Sequence, residues 1–331
     1  MKIIILTPTK NNSGGVERFS YYLSDILKKE NHEVVLLGRE DLSTFEKGIL
    51  RIKKIVGMEQ PVLGYFLGRR AMKLGFSVCI TNGMLGWNIK NKKIINVQHG
   101  TFARAADRID YARSIFKYFV KKHIWGLFEG LAARHATVCI AVSQETKESV
   151  ENYYGAKNVQ VILNAVNTEL FHLINCPKKD QVIFVGRFEY AKGKEILDGM
   201  KSYLESKNWK LVVAETLSQE ELVLAYNESQ IFLLPSLHEG CSYALLDAMA
   251  CGLPFLASPV GLVPDLKQRG LFPECIVEEQ TTGAYIEALE SILTKTETEK
   301  ADLRKQLREY VLIHHNLQSF GTSYLNLIEN L

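Results

Sequence analysis

The stretch from Phe232 to Pro254, FLLPSLHEGCSYALLDAMACGLP, decides the fold class. Its apolar run ending at Pro235 is too short and too apolar for an exposed strand, so it predicts a buried parallel strand feeding a loop from Ser236 to Gly240. A helix follows: Ser242 suits the N-cap, residues 244–246 and 248–250 are good helix formers, and Gly252 and Pro254 end it. Glu239 then sits in the loop at the carboxyl end of a strand. Asp247 sits about two turns into the helix, at about 5.4 Å per turn. Two acceptors so spaced suit two hydroxyl-bearing parts of one elongated ligand.

Outward from this stretch the chain alternates strand and helix. Strand 3–6, a glycine-containing loop 8–15, helix 16–30 and strand 33–37 read as one βαβ unit. Strands at 78–81, 94–98, 138–142 and 159–163, with helices such as 113–135 and 144–153, extend it to one doubly wound domain. Residues 173–180, polar and holding Pro177, read as an interdomain linker. A second alternation places strands at 181–185, 210–214, 231–234 and 255–257 and helices at 194–206, 219–229 and 241–250. Helices at 282–294 and 300–315 follow, and the closing segment 320–331 offers Phe320, Tyr324, Leu325 and Leu327 for packing on the first domain. The expected fold is α/β, two Rossmann-like doubly wound parallel-sheet domains, at 1–168 and 169–317, with a helix at 318–331 returning to the first.

At 331 residues, 47% hydrophobic and 23% charged, the chain is long enough for two cores and excludes a disordered class. No window approaches the roughly 20 apolar residues of a membrane span, and the N-terminus lacks a secretory signal, so a cytoplasmic location is expected. Six scattered cysteines without a CxxC pair argue against a zinc site and a disulfide framework. The net charge of +3 hides an asymmetry: residues 47–122 hold sixteen Lys or Arg against three acids, +13, and the remainder is −10. Such a field attracts anionic lipid, phosphate or nucleic acid.

Open parallel sheets bind ligands beyond the carboxyl ends of their strands, and five loops there stand out. In NNSGGVER, Gly14 and Gly15 admit close backbone approach, and the following helix start offers N–H groups to an anion; a plain flexible turn is the alternative. In VQHGTF, His99 ends a strand beside Gly100, placed for acid–base work, for a hydrogen bond to a ligand, or for a structural role alone. In VGRFEYAKGKEIL, Arg187 and Lys192 lie five apart between two glycines, a spacing that sets two cations around a diphosphate unless the turn is merely solvated. Asn164 and Asn167 of ILNAVNTELF read as turn formers. The fifth loop carries Glu239, with Asp247 among apolar neighbours beyond it.

In their order and spacing, SGGVERF, VQHG, AVSQETKESV, ILNAVNTELF, VGRFEYAKGKEIL, LLPSLHEGCSYALLDAMACGLPFLAS and PVGLVPDL closely resemble the retaining family-4 glycosyltransferases of the GT-B fold, over almost the whole chain. The resemblance implies a nucleotide-sugar donor in an interdomain cleft, no cofactor, and no metal, since the DxD motif is not needed. It implies that Arg187 and Lys192 hold the diphosphate and stabilise the leaving group, that Glu239 contacts sugar hydroxyls, and that backbone N–H groups at Gly240, Cys241 and Ser242 touch sugar or phosphate. Asp247 would take the ribose, Gly15 would approach the diphosphate or acceptor, and His99 would contact the sugar near the reacting carbon.

Two departures accompany the resemblance. Asp247 stands where the family usually has Glu, and about one βα unit near the base site is missing after residue 214. The expected acceptor is a lipid-linked or cell-envelope glycan at the inner face of the membrane, with Arg104, Arg108, Arg113, Lys117, Lys121 and Lys122 assigned to acceptor or anionic lipid. SIFKYFVKKHIWGLF, 114–128, mixes aromatics with lysines as an interfacial helix does, or as an ordinary helix with a solvated basic face does. Two other readings compete: a nucleic-acid-binding protein using the basic surface, and another GT-B enzyme such as a sugar-nucleotide epimerase. No nucleic-acid motif is present, and the pairing of Arg187 and Lys192 with Glu239 fits transfer better.

Overall fold

The computed structural model describes residues 1–11, 14–90, 92–111 and 113–331; Asn12 and Ser13 of the first glycine loop, the latter opening the SGGVERF motif, lie outside the described residues. The chain forms two compact units, Met1–Asn164 with Gln318–Leu331, and Ala165–Leu317.

Unit 1 is built on strands β1 (Lys2–Leu6), β2 (Glu33–Leu37), β3 (Val78–Asn82), β4 (Ile94–Gln98), β5 (Val138–Ala141) and β6 (Val159–Val161). They lie in the order β2-β1-β3-β4-β5-β6 with every pairing parallel. Ile3 to Leu6 and all of β3 and β4 are buried, as expected of strands covered on both faces. Helices α1 (Gly15–Lys29), α2 (Thr44–Ile55), α3 (Glu59–Leu74), α4 (Phe102–Ala105), α5 (Ile115–Phe119), α6 (Gly126–His135) and α7 (Gln144–Tyr154) connect them.

Unit 2 has a four-stranded parallel sheet of β7 (Gln181–Val185), β8 (Lys210–Ala214), β9 (Ile231–Leu234) and β10 (Phe255–Ala257), in the order β10-β9-β7-β8. Its helices are α8 (Lys194–Ser206), α9 (Gln219–Glu228), α10 (Tyr243–Ala250), α11 (Val263–Gln268), α12 (Thr282–Leu293) and α13 (Glu297–His314). β8 is an edge strand joined to α9 by residues 215–218 alone. The last helix, α14 (Leu317–Glu329), belongs to unit 1. Its Phe320, Tyr324 and Ile328 form an i, i+4 buried stripe, and the rings of Phe320 and Tyr324 meet Phe19 of α1 edge-on at 5.6 and 5.7 Å.

Three expectations need correction. Residues 173–180 are no interdomain linker: the units divide after Asn164, and this segment is pinned within unit 2, Ile174 N–H donating to Asn227 Oδ1 at 2.8 Å and Lys179 N–H to Glu228 O at 2.8 Å. The single helix expected over 113–135 is α5 and α6 joined by π-helical turns over Val120–Trp125, where Trp125 Nε1 donates to Gly57 O. In α14 Ile328 joins the expected Phe320 and Tyr324 as buried, whereas Leu325 and Leu327 are only half-buried. No described helix is long and apolar enough to cross a membrane.

Candidate active site

In unit 2 the opening stretch folds as its residues dictate: β9, a loop, then α10 with Ser242 at the N-cap accepting from Leu245 N–H at 3.4 Å. The loop between β7 and α8 is drawn hard against it. Gly193 has φ +77° and a Cβ there would lie 2.1 Å from the Pro235 carbonyl oxygen, so no other residue fits without displacing one loop. Leu237 N–H donates to Ala191 O at 3.0 Å across the same seam. Gly261, at φ +66°, closes a third loop on Gly240 O, 2.7 Å from where its Cβ would stand.

This convergence sets Lys192 Nζ 2.6 Å from Glu239 Oε1, with their side chains 26% and 12% exposed. The two residues lie 47 apart in sequence and come from loops at the carboxyl ends of neighbouring strands. The pair leaves two further N–H bonds on the ammonium and, among the described residues, Oε2 of Glu239 without a partner. Arg187, on the same loop beyond Gly186, is 77% exposed and meets Glu189 at 2.9 Å. Phe188 N–H donates to Glu215 Oε1 at 2.6 Å, so the short connection after β8 is tied to this loop.

Gly240 and Cys241 are buried, and Ser242 is partly exposed at the α10 N-terminus, whose first N–H groups have no intrahelical acceptor. Asp247, one turn beyond Tyr243 on the same helical face, is only 2% exposed.

In unit 1, His99 follows β4, and its Nε2 lies 2.8 Å from Asn82 Oδ1. Asn82 Nδ2 donates to Leu6 O at 2.7 Å and to Ser20 Oγ at 3.0 Å, which fixes Oδ1 as the acceptor. His99 therefore carries its proton on Nε2 and presents Nδ1 as an acceptor. Burial pushes its pKa down to about 3, and Phe19 meets its ring at 4.8 Å. Of the roles the sequence left open, proton donation by a charged imidazole is thereby disfavoured, and a neutral hydrogen-bonding His99 remains.

Gly15 opens α1, and the N-cap, Gly14, has no side chain to cap it. The chain's own Glu17 carboxylate lies against the N-cap: a Cβ on Gly14 would lie 2.2 Å from Glu17 Oε2, and Thr9 Oγ1 donates to Oε1 at 3.3 Å. Burial raises the Glu17 pKa, the cost of holding that carboxylate in place.

The basic residues assigned to acceptor or lipid divide. Arg104 and Arg108 both reach Glu145 Oε1 at 2.8 Å, Lys121 meets Asp110 at 2.6 Å and Lys122 meets Asp107 at 2.6 Å. Hydrogen bonds from Lys122 to Asp107 and Tyr118 raise the lysine's pKa. Arg113 and Lys117 are exposed. Four of the six assigned cations are thus engaged within the fold, although Asp107 and Asp110 already stand in the charge count and only Glu145 is an additional acid.

Sequence reading missed Asn82, which sets the His99 tautomer, and Glu129. The Glu129 carboxylate, 2% exposed, accepts from Phe102 N–H at 2.8 Å and from the Tyr154 hydroxyl, holding the turn after His99 from beneath. Burial pushes its pKa up to about 7. A charged residue on the GLFEGLAARH helix face was the one available signal, and it has no spacing motif of its own.

Two family models match, one described as Glycosyltransferase Family 4 over residues 13–170 and one as Glycosyl transferases group 1 over residues 149–295. The chain is similar to an uncharacterized glycosyltransferase of Methanocaldococcus jannaschii, 26% identical over 175 residues, 40% of this chain and 45% of that one. It is 29% identical over 161 residues to the sulfoquinovosyl transferase SQD2 of Arabidopsis thaliana, 39% of this chain and 32% of that one. These matches span less than half the length of either relative. Among solved structures, a sucrose-phosphate synthase from Thermosynechococcus elongatus superposes with a TM-score of 0.76 at 17% identity, covering 99% of this chain and 98% of that one. HepE of Anabaena superposes with a TM-score of 0.70 at 15% identity over 100% of both chains. The fold is GT-B.

Proposed function

The chain belongs to the family-4 glycosyltransferases, and from that premise we propose that it moves a sugar from a UDP- or GDP-sugar to a lipid-linked or cell-envelope glycan acceptor at the inner face of the membrane, with retention of configuration and without a metal. The observation that carries the donor assignment is the partly buried Lys192–Glu239 pair, 2.6 Å apart between loops locked together at Gly193 and Gly261. Lys192 has two N–H bonds left for diphosphate oxygens, and Arg187 extends into solvent with reach to spare. Together they offset the charge that develops on the departing diphosphate. Glu239 accepts from sugar hydroxyls through Oε2, the α10 N-terminus adds N–H groups from Gly240 to Ser242, and Asp247 takes the ribose. A carboxylate as buried as Asp247 hydrogen-bonds strongly once a hydroxyl reaches it.

In the transfer itself the bond from the anomeric carbon to the phosphate oxygen breaks, and the acceptor hydroxyl oxygen bonds to that carbon from the same face. The hydroxyl proton passes to the departing diphosphate oxygen. His99, neutral and with its proton on Nε2, accepts a hydrogen bond from a sugar hydroxyl at Nδ1 rather than giving a proton. HepE has been solved in complex with UDP-glucose, which favours a uridine donor among the candidates.

A thermal-shift series with UDP, GDP, ADP and their sugars tests the reading. The true donor at 100 times its dissociation constant adds about 2.7 kcal/mol of stability. No stabilisation by any of them, or donor hydrolysis and transfer left intact by Glu239→Ala, would overturn it.

A further inference from the structure

Unit 1 carries an apolar surface that its own fold does not use. Helix α2 buries a single residue, Leu50, and turns Ile52, Ile55 and Val56 outward; Ile55 is 84% exposed. These positions share one face by their i, i+3, i+4 spacing. Helix α5 buries none of its five residues, and Ile115 and Phe116 are 75% and 66% exposed, with Phe119 exposed beside them.

The C-terminal ends of the two helices adjoin. Val120, directly after Phe119, lies 3.1 Å from where a Cβ on Gly57 would stand, and Trp125 donates to the Gly57 carbonyl; Gly57 follows Val56. Cations rim the patch: among the described residues Arg51, Lys53, Lys54 and Lys117 make no ion pair, unlike the paired Arg104, Arg108, Lys121 and Lys122.

We propose that the exposed faces of α2 and α5, rimmed by Arg51, Lys53, Lys54 and Lys117, form one surface that docks unit 1 on an anionic lipid bilayer. A bilayer takes both halves of the patch: its interface accepts protruding aliphatic and aromatic side chains, and anionic headgroups neutralise the lysines. A second copy of the chain fits poorly, because a two-fold contact through this patch brings Lys53 and Lys54 toward their own equivalents. A nucleic acid offers phosphates but no apolar layer for six hydrophobic side chains. The inference rests on the proposed membrane-presented acceptor, and it adds α2 as the second half of the contact.

Vesicle flotation tests it, with phosphatidylcholine alone and with phosphatidylcholine mixed with phosphatidylglycerol. The wild type is expected to float with the anionic vesicles, and added salt to release it. The double variant Ile52→Asp/Ile55→Asp should lower the partition constant about tenfold or more. Phe116→Asp/Phe119→Asp should do the same, and Lys53→Gln or Lys54→Gln should cost about fivefold each. All of these positions are solvent-exposed, so circular dichroism and Tm should match the wild type. Flotation of these variants equal to the wild type, no wild-type binding to anionic vesicles at low salt, or self-association abolished by the Asp variants would overturn the proposal. Glu239→Ala should float like the wild type, so failure of the transfer reading and failure of the docking reading are distinguishable.

Discussion

Glu239 and Glu129 are both carboxylates that hold a strand-end loop, and they differ in what they face. Glu239 meets the Lys192 ammonium at 2.6 Å, at a partly exposed seam between loops. Glu129 meets a backbone N–H and a phenol in the interior of unit 1, and no cation among the described residues lies against it. A carboxylate paired with a cation at an accessible seam can exchange its partner for ligand hydroxyls while the cation turns to phosphate. One enclosed with neutral donors has no such exchange, and its charge is resisted by burial. On the proposed reading Glu239 binds the donor, whereas Glu129 holds a turn.

The sharpest test of that contrast is a pair of truncations. Lys192→Ala should lower kcat by about 10²–10³ fold, the usual effect of removing one electrostatic contact to a developing charge, with little change in Tm. Glu129→Ala should instead cost about 2–4 kcal/mol of stability in urea denaturation, because Phe102 N–H and the Tyr154 hydroxyl lose their acceptor. Unchanged stability in Glu129→Ala would break the comparison. Glu129→Gln keeps an oxygen for both donors, which reach the same Oε2, and should restore most of that stability.

A pH series sharpens it further. The Glu129 pKa of about 7 lies above its ordinary 4.5, so the fold takes up a proton there more readily than the unfolded chain; the contribution is whole below pH 4.5 and lost as pH rises to about 7. His99, at about 3 against 6.5, has the opposite sign: its contribution is present above pH 6.5 and lost as pH falls toward 3. Between pH 4.5 and 6.5 the two slopes oppose each other. Relative to the wild type, the Glu129→Gln urea midpoint should rise more steeply with pH through that window, and that of His99→Gln should fall. Parallel curves for all three proteins would show that neither group is held as the structure has it. The smallest effect is expected at the surface, where Lys122→Gln removes an ion pair to Asp107 and should cost less than about 1 kcal/mol.

Most of the fold was legible because parallel strands buried on both faces are continuous apolar runs. Ile3 to Leu6, Val182 to Phe184 and Ile231 to Leu234 announce themselves by composition. The candidate site loops were legible too, since glycines, cations and a carboxylate cluster in short stretches after those strands. Less legible were features that depend on a partner far along the chain. The segment 173–180 looked like a linker by composition, but α9 supplies its hydrogen bonds. Arg104, Arg108, Lys121 and Lys122 read as free charge until Glu145, Asp110 and Asp107 came to meet them.

The sequence by itself determined the two α/β units, the family, and the loops to search, because strand burial, helix caps and glycine turns are local consequences of neighbouring residues. Only the tertiary structure decided which side chains face one another. The Lys192–Glu239 contact spans 47 residues, the Asn82–His99 contact that fixes a tautomer spans 17, and Glu17 lies against the helix start that local reading left open. Charge, tautomer and pKa follow from distance and burial, and both are set by how the elements pack rather than by the order of residues along them.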